Sequence, residues 1–392
     1  MSIKSDSARL TSLRMRFVTW RNRLFSSPRF QQRAAAFPLI RPITRARAER
    51  VFNLVAGFAY SQVLAACVEV GLLDLLARGA WTTADVAREA RMGEAAAERL
   101  LRAAASLGLA EAVGPATWML GSEGAALLGN PGALAMVRHH ALLYADLADP
   151  VGLLRADRQT PTALSDFWTY ARASATGGVP PGRLDESEET NASAATAYSA
   201  LMAASQAMIS EQLISAYRFG KHQAMLDVGG GTGAFVSAVG TAAPSLRLGL
   251  FDLPDVVAGA EARLNRDALI GPRLTLHKGS FLHDPLPQGH DLITLVRILH
   301  DHDDEPALRL LRAVRAALAP GGTLLIGEPM AGAPGGRAMG DAYFGLYLWA
   351  MGSGRPRRPA ELGAMLRSAG FTSWRAIPTH LPLVCGAIVA RA

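Results

Sequence analysis

The feature that most constrains this chain is a glycine-rich turn, Leu226-Asp-Val-Gly-Gly-Gly-Thr-Gly-Ala-Phe235, set directly after a short apolar run. A strand that ends in closely spaced glycines and opens a helix can bring its backbone against a bulky ligand, because glycine carries no Cβ. From Gln223 onward the sequence keeps that rhythm. Runs rich in leucine or β-branched residues predict strands at 224–228, 246–252, 274–278, 291–299, 323–328, 373–377 and 383–390. Helices are predicted between most of them, notably at 306–318 and 359–369. This alternation predicts an α/β, Rossmann-like domain, a mostly parallel sheet covered on both faces. A short turn at Leu381-Pro382 predicts an antiparallel edge pairing of the last two strands.

The first half reads differently. Apolar residues at helical spacing (Phe52, Val55, Tyr60, Val63, Leu64, Val68) lead into Trp81-Thr-Thr-Ala-Asp-Val-Ala87 and Met92-Gly-Glu-Ala-Ala-Ala-Glu-Arg-Leu-Leu-Arg102. Thr82 or Thr83 is placed to cap one helix, Gly93 separates the next, and a small hairpin follows, giving a winged-helix outline. That outline alone suggests DNA binding. Glu94 and Glu98, however, flank Arg99 and Arg102 and leave no basic face, so a scaffold or dimerisation role is expected, without nucleic acid. Residues 129–220 read as further helices interrupted by a polar hinge loop at 176–190. The expected division is therefore an arm at 1–50, a mainly helical unit at 51–220 and the α/β unit at 221–392.

Charge concentrates in the arm. Residues 1–50 hold twelve Lys or Arg and two acids, a net of +10, while the whole chain carries +7. Phe17, Trp20, Leu24, Phe25, Phe30 and Phe37 interleave with these cations, a composition suited to an anionic membrane interface or to a partner subunit. With half its residues apolar and 19% charged, the chain has enough apolar material for sizeable cores, which excludes global disorder. No run of 18 uninterrupted apolar residues occurs, so no spanning helix is expected, and no secretory leader pattern opens the chain. Cys67 and Cys385, both in apolar runs, read as buried thiols of a reducing compartment, which places the protein in the cytoplasm.

Several residues are candidates for chemistry. Gly229, Gly231 and Ala234 satisfy the dinucleotide pattern G-x-G-x-x-G/A, which leaves nicotinamide binding open. Asp227 ahead of the loop can meet a ligand ammonium, and Asp252, closing the second strand, can accept ribose hydroxyls. Across the rim, Asp291-Leu-Ile-Thr-Leu-Val-Arg-Ile-Leu-His300 runs a strand into an imidazole, where ligands of such sheets bind. A neutral His300 there can take a proton, with Glu328 at the end of the next strand to orient it. The run His300-Asp-His-Asp-Asp304 also invites a metal reading, but acidic residues capping the following helix explain it, and no metal is expected. His139 and His140 should point apart on a helix. Tyr343, Phe344, Tyr347 and Trp349 form an aromatic stretch suited to core or contact.

Asp227-Val-Gly-Gly-Gly-Thr-Gly, Phe251-Asp-Leu-Pro, Leu299-His-Asp and Ala369-Gly-Phe371 occur in the order found in the acetylserotonin/caffeate-type O-methyltransferases, and residues 51–392 resemble that superfamily. Arg16-Phe-Val-Thr-Trp-Arg-Asn-Arg-Leu-Phe25, Gly57-Phe-Ala-Tyr-Ser-Gln62, His139-His-Ala-Leu-Leu-Tyr-Ala-Asp-Leu147 and Leu348-Trp-Ala-Met-Gly352 are similar to its carotenoid branch in purple phototrophic bacteria, the hydroxyneurosporene (demethylspheroidene) O-methyltransferases. The resemblance implies a winged-helix-like dimerisation domain, a homodimer and S-adenosylmethionine as cofactor. It implies a hydroxycarotenoid acceptor, with a bacteriochlorophyll precursor or phenolic natural product as rivals. Asp227, Gly229 and Gly231 would line the methionine end of the cofactor, Asp252 its ribose, and Leu253 and Phe281 its adenine. Ser280 replaces the family's usual acid, and Arg297 stands where relatives often have Lys. His300 matches the family base, with Asp301 and Glu328 beside it, and Pro356 falls where relatives place a second supporting acid. A membrane-dwelling acceptor would give the arm a docking role at the cytoplasmic membrane.

Overall fold

The computed structural model describes residues 2–158, 160–167, 205–333 and 335–392. It divides into two compact units, Met1–Ala125 and Ala126–Ala392. The division does not follow the expected boundaries at 50 and 220. Helix Pro131–Asp146 belongs with the second unit, held there by its own side-chain contacts. The expected hinge loop at 176–190 lies outside the described residues.

In the first unit the arm is helical. Helix Ser2–Phe25 is followed by Pro28–Ala36, which Ser27 caps by accepting the Phe30 N–H at 3.4 Å, with Pro28 at the first helical position. The Arg47 guanidinium lies 3.6 Å over the Phe25 ring, and the Thr44 hydroxyl donates to Ala34 O at 3.4 Å. Both contacts tie these short helices to the 29-residue helix Arg41–Glu69. That helix is long and apolar enough, by length and composition, to cross a membrane. Residues 51–68 of it carry no charge, but Asn53, Ser61 and Gln62 break the apolar run, so no stretch of 18 uninterrupted apolar residues marks it.

A small winged helix completes this unit: helices Leu72–Leu76, Thr83–Glu89 and Glu94–Ser106 with strands β1 (Trp81–Thr82), β2 (Ala110–Gly114) and β3 (Thr117–Leu120) in the order β1-β3-β2. Thr82 caps its helix by accepting the Asp85 N–H at 3.2 Å. The indole N–H of Trp118 donates to the Thr83 hydroxyl at 2.9 Å and pins the wing to that helix. On helix Glu94–Ser106, Glu98 pairs with Arg102 at 2.7 Å, so the cation is spent within its own helix.

The second unit carries a seven-stranded sheet of β4 (Ala224–Val228), β5 (Arg247–Asp252), β6 (Leu274–Lys278), β7 (His290–Val296), β8 (Leu318–Glu328), β9 (Ser373–Ile377) and β10 (Gly386–Arg391). The order is β6-β5-β4-β7-β8-β10-β9, parallel except for β10, which runs antiparallel to both neighbours. The last strand therefore fills the sheet from inside, and β9 forms the edge. Residues 205–216 and helices Ala234–Ala242 and Pro254–Arg266 cover one face, while helices Asp304–Ala317 and Pro359–Ser368 cover the other. The strands read as apolar runs because both faces are buried. After β4 the chain winds outward to β5 and β6, then returns to β7 on β4's other side. The carboxyl ends of β4 and β7 thus flank the switch point where such sheets bind ligands.

Candidate active site

The glycine turn leaves β4 at that switch point. Gly231 adopts φ +56°, and an added Cβ there would meet no atom within 4 Å, so its backbone faces open space. The Asp252 carboxylate accepts the Gly231 N–H and the Leu253 N–H, both at 2.7 Å. One side chain therefore fixes the turn relative to the end of β5. Burial raises the pKa of Asp252, and the two amides oppose that rise. Asp227 is buried, its Oδ1 accepting the Thr294 hydroxyl at 2.6 Å. Burial pushes its pKa up to about 7 against that hydrogen bond, with the nearby Asp252 charge adding to the rise. A buried carboxylate so raised is stabilised when a cation approaches. Phe281 borders the turn: a Cβ on Gly229 would lie 3.6 Å from its ring edge. Ser280 instead donates its backbone N–H to Asp284 at 2.7 Å.

Arg297 follows β7 directly and holds φ +60°. A side chain in that region costs about 1–2 kcal/mol. Its N–H donates to Gly327 O at 2.8 Å, and its guanidinium donates to the Ser205 hydroxyl at 2.8 Å. The kink delivers the Leu299–Asp301 turn to the rim. There the buried His300 ring places Nε2 3.1 Å from Asp301 Oδ1. Among the described residues His300 Nδ1 has no hydrogen-bond partner, nor has Glu328 Oε1. The other oxygen of Glu328 accepts the backbone N–H of His300 at 3.1 Å. Glu328 thus holds the main chain beneath the imidazole rather than the ring, which Asp301 engages. Burial drives the imidazole pKa down, with Arg297 and Arg357 adding to the effect, and drives the Asp301 carboxyl up. Glu328 rises to about 7 by burial. An imidazole held uncharged is a competent proton acceptor.

A ring wall continues from His300. Its centroid lies 6.1 Å from Phe344, which meets Tyr343 at 4.9 Å and Tyr347 at 6.4 Å. The adjacent His139 and His140 do not serve opposite faces: their Nε2 atoms lie 2.9 Å from Tyr347 Oη and 2.8 Å from Tyr343 Oη. Residues 338–344 form a π-helical stretch that carries Tyr343, and helix Gly345–Met351, directly after it, carries Tyr347. Burial lowers both histidines, His139 to about 4, so the wall is uncharged. Asp303 pairs with Arg158, and Asp304 with Arg355 and Arg357, which accounts for the acids after His300. Among the described residues no group of three or more His, Cys, Asp or Glu is placed to hold a metal.

Over residues 144–372 the sequence matches the O-methyltransferase domain, and over 52–120 the O-methyltransferase dimerisation domain. The chain belongs to the O-methyltransferase family. It is 40% identical, over 94% of its length and 93% of the relative's, to demethylspheroidene O-methyltransferase of Cereibacter sphaeroides. Against the protein of the same name from Rhodobacter capsulatus it is 39% identical over 95% and 89%. The structure of human N-acetylserotonin methyltransferase with S-adenosylmethionine superposes with a TM-score of 0.66 at 25% identity, covering 88% of this chain and 97% of that one. A methyltransferase of calicheamicin biosynthesis shares the fold, with a TM-score of 0.72 at 24% identity over 88% and 98%. This methyltransferase therefore uses S-adenosylmethionine, and the open space over Gly231, the raised Asp227 and the half-buried Asp252 fit that cofactor. The nicotinamide and DNA-regulator readings fall away. The dimerisation domain supports a homodimer acting on a small molecule. Two site residues carried no signal legible in sequence: Thr294, one alcohol within an apolar strand, and Arg357, one of several arginines after Gly354.

Proposed function

We propose that this methyltransferase methylates the tertiary 1-hydroxyl of an acyclic hydroxycarotenoid, with His300 as general base. The observation that carries the reading is the 40% identity to a demethylspheroidene O-methyltransferase across nearly the full length of both chains. When bound, S-adenosylmethionine supplies an electrophilic methyl on a sulfonium. Transfer of that methyl to the acceptor oxygen would leave the electron pair of the broken S–C bond on sulfur, as a neutral thioether. The hydroxyl proton passes to His300 Nδ1, while Nε2–H rests on Asp301. A tertiary alcohol is far less acidic than a phenol, so deprotonation accompanies methyl transfer, and most acceleration comes from alignment. The uncharged wall of Tyr343, Phe344 and Tyr347 suits a hydrocarbon chain. Purified enzyme given a 1-hydroxycarotenoid and labelled cofactor should yield labelled ether. Label found only on phenolic or bacteriochlorin acceptors would overturn the substrate assignment.

Asp227 should meet the cofactor's ammonium as a carboxylate. Because its pKa lies at about 7, it is charged above that pH and neutral below. Affinity for S-adenosylhomocysteine, measured by calorimetry, should therefore fall about tenfold per pH unit below 7. In Asp227→Asn the affinity should be weak and flat across that range; a similar slope in the variant would assign the titration elsewhere.

The arm docks this cytoplasmic enzyme on an anionic membrane, where such an acceptor partitions. Leu13, Met15, Phe17 and Trp20 are all more than half exposed and sit among Arg14, Arg16, Arg21 and Arg23. Deleting residues 1–40 should abolish salt-sensitive sedimentation with vesicles containing anionic lipid. Unchanged sedimentation would mean that the arm has another partner.

A further inference from the structure

Segment 353–357 forms a strap across the turn that carries His300. It takes up four successive carbonyls. Arg357 Nη1 donates to Leu299 O at 2.6 Å, and the Arg355 N–H donates to His300 O at 2.9 Å. The Ser353 hydroxyl donates to Asp301 O at 2.8 Å, and Arg357 Nη2 donates to His302 O at 2.7 Å. With the His300 amide on Glu328, the main chain around the imidazole is held on both sides. Arg357 is fully buried, an unusual cost for a cation, and its partner Asp304, 2.8 Å away, is 60% exposed. Gly354 completes the strap at φ +77°, where a Cβ would collide with the His300 carbonyl oxygen. Its N–H donates to Asp303 at 3.1 Å, and its carbonyl accepts from Arg158 at 3.1 Å.

We propose that Arg357 is the positioning residue of this methyltransferase: its guanidinium, through the Leu299 and His302 carbonyls, sets where the His300 ring stands relative to the acceptor oxygen. Buried cations are retained where a neutral side chain would not do the same work, and here only a planar fork reaches two carbonyls three residues apart while also meeting Asp304. Lysine has one nitrogen and cannot span them. The imidazole is also faced by Arg297 from the end of β7, Glu328 from β8, Asp301 and His302 from its own turn and Phe344 from the aromatic wall. Among these, Arg357 alone bonds to the carbonyls on both sides of the base. Misplacing a reacting group by about 1 Å costs on the order of 100-fold in rate.

The inference rests on His300 being the base, and the test separates the two. Arg357→Met, Arg357→Lys, Gly354→Ala and His300→Ala are compared as full-length enzyme, with active sites counted by S-adenosylhomocysteine titration. Arg357→Met should lose about 100-fold in kcat per titrated site, with acceptor KM and donor affinity within a few-fold of the parent. Arg357→Lys should recover only part of the rate, and added methylguanidinium should restore Arg357→Met but not His300→Ala. If Arg357→Met lowers the melting temperature while kcat per titrated site stays at the parental value, the arginine is only a structural brace and the proposal fails. If His300→Ala retains turnover, the base assignment fails instead. Should both arginine variants misfold, Gly354→Ala, which displaces the His300 carbonyl lying between the two that Arg357 holds, decides by the same kcat ratio.

Discussion

Replacing His300 by alanine should lower turnover by about 100- to 10,000-fold, the usual contribution of a positioned general base. Cofactor binding should be nearly unchanged, because the glycine turn is fixed by Asp252, which does not touch the imidazole. The turn should also survive. Glu328 engages the backbone N–H of His300, which alanine keeps, and the strap engages carbonyls, which alanine also keeps. His300→Gln, which refills most of the buried volume without supplying a base, should be equally slow. Single-turnover rates with saturating cofactor check this directly. Turnover within a few-fold of the parent in either variant would remove His300 from the proposed mechanism.

The second large effect is expected on the other side of the switch point. Asp252→Ala should weaken S-adenosylhomocysteine binding by about 100-fold or more. The carboxylate accepts two backbone amides at 2.7 Å, and hydrogen bonds to a charged group contribute about 1.5–3 kcal/mol each. Loss of the Gly231 contact frees the turn to leave its open, ligand-facing conformation, and any ribose contact is lost with it. Turnover at saturating cofactor should fall much less than affinity, the reverse of the His300 result. Asp252→Asn should be intermediate, since its amide keeps one acceptor oxygen. Calorimetry giving parental affinity for the alanine variant would show that the turn holds itself.

Much of this was legible in the chain. The runs and the turn residues between them predicted β4, β6 and β9 at the residues where they form; β4 is buried throughout, as a central parallel strand covered on both faces must be, whereas β6 and β9 are edge strands with exposed residues. The neighbouring strands shifted by a few residues where ends fray into turns. Asp227, Asp252 and His300 stood out because each charged or titratable side chain closes an apolar strand, an expensive place to leave one without a purpose. Glu328 stood out for the same reason, yet its contact was misjudged. Periodicity placed it at the rim, but whether a carboxylate meets a ring or an amide depends on how β7 and β8 turn at their ends.

His139 and His140 make the same point from the helical side. Adjacent residues on an ideal helix diverge, yet both rings reach tyrosines on one facing element, because Tyr343 lies in a π-helical stretch that sequence spacing does not announce. The division of the chain after Ala125 was likewise hidden, since it depends on which helices pack together rather than on composition. By itself the sequence determined the strand–helix alternation, the glycine turn and the residue types at each strand end. These follow from burial and backbone sterics, which act between near neighbours. Only the tertiary structure decided that Arg357, fifty-seven residues beyond His300, would hold its turn. Satisfying four carbonyls of an irregular turn requires donors from a distant segment, and no local pattern encodes which segment supplies them.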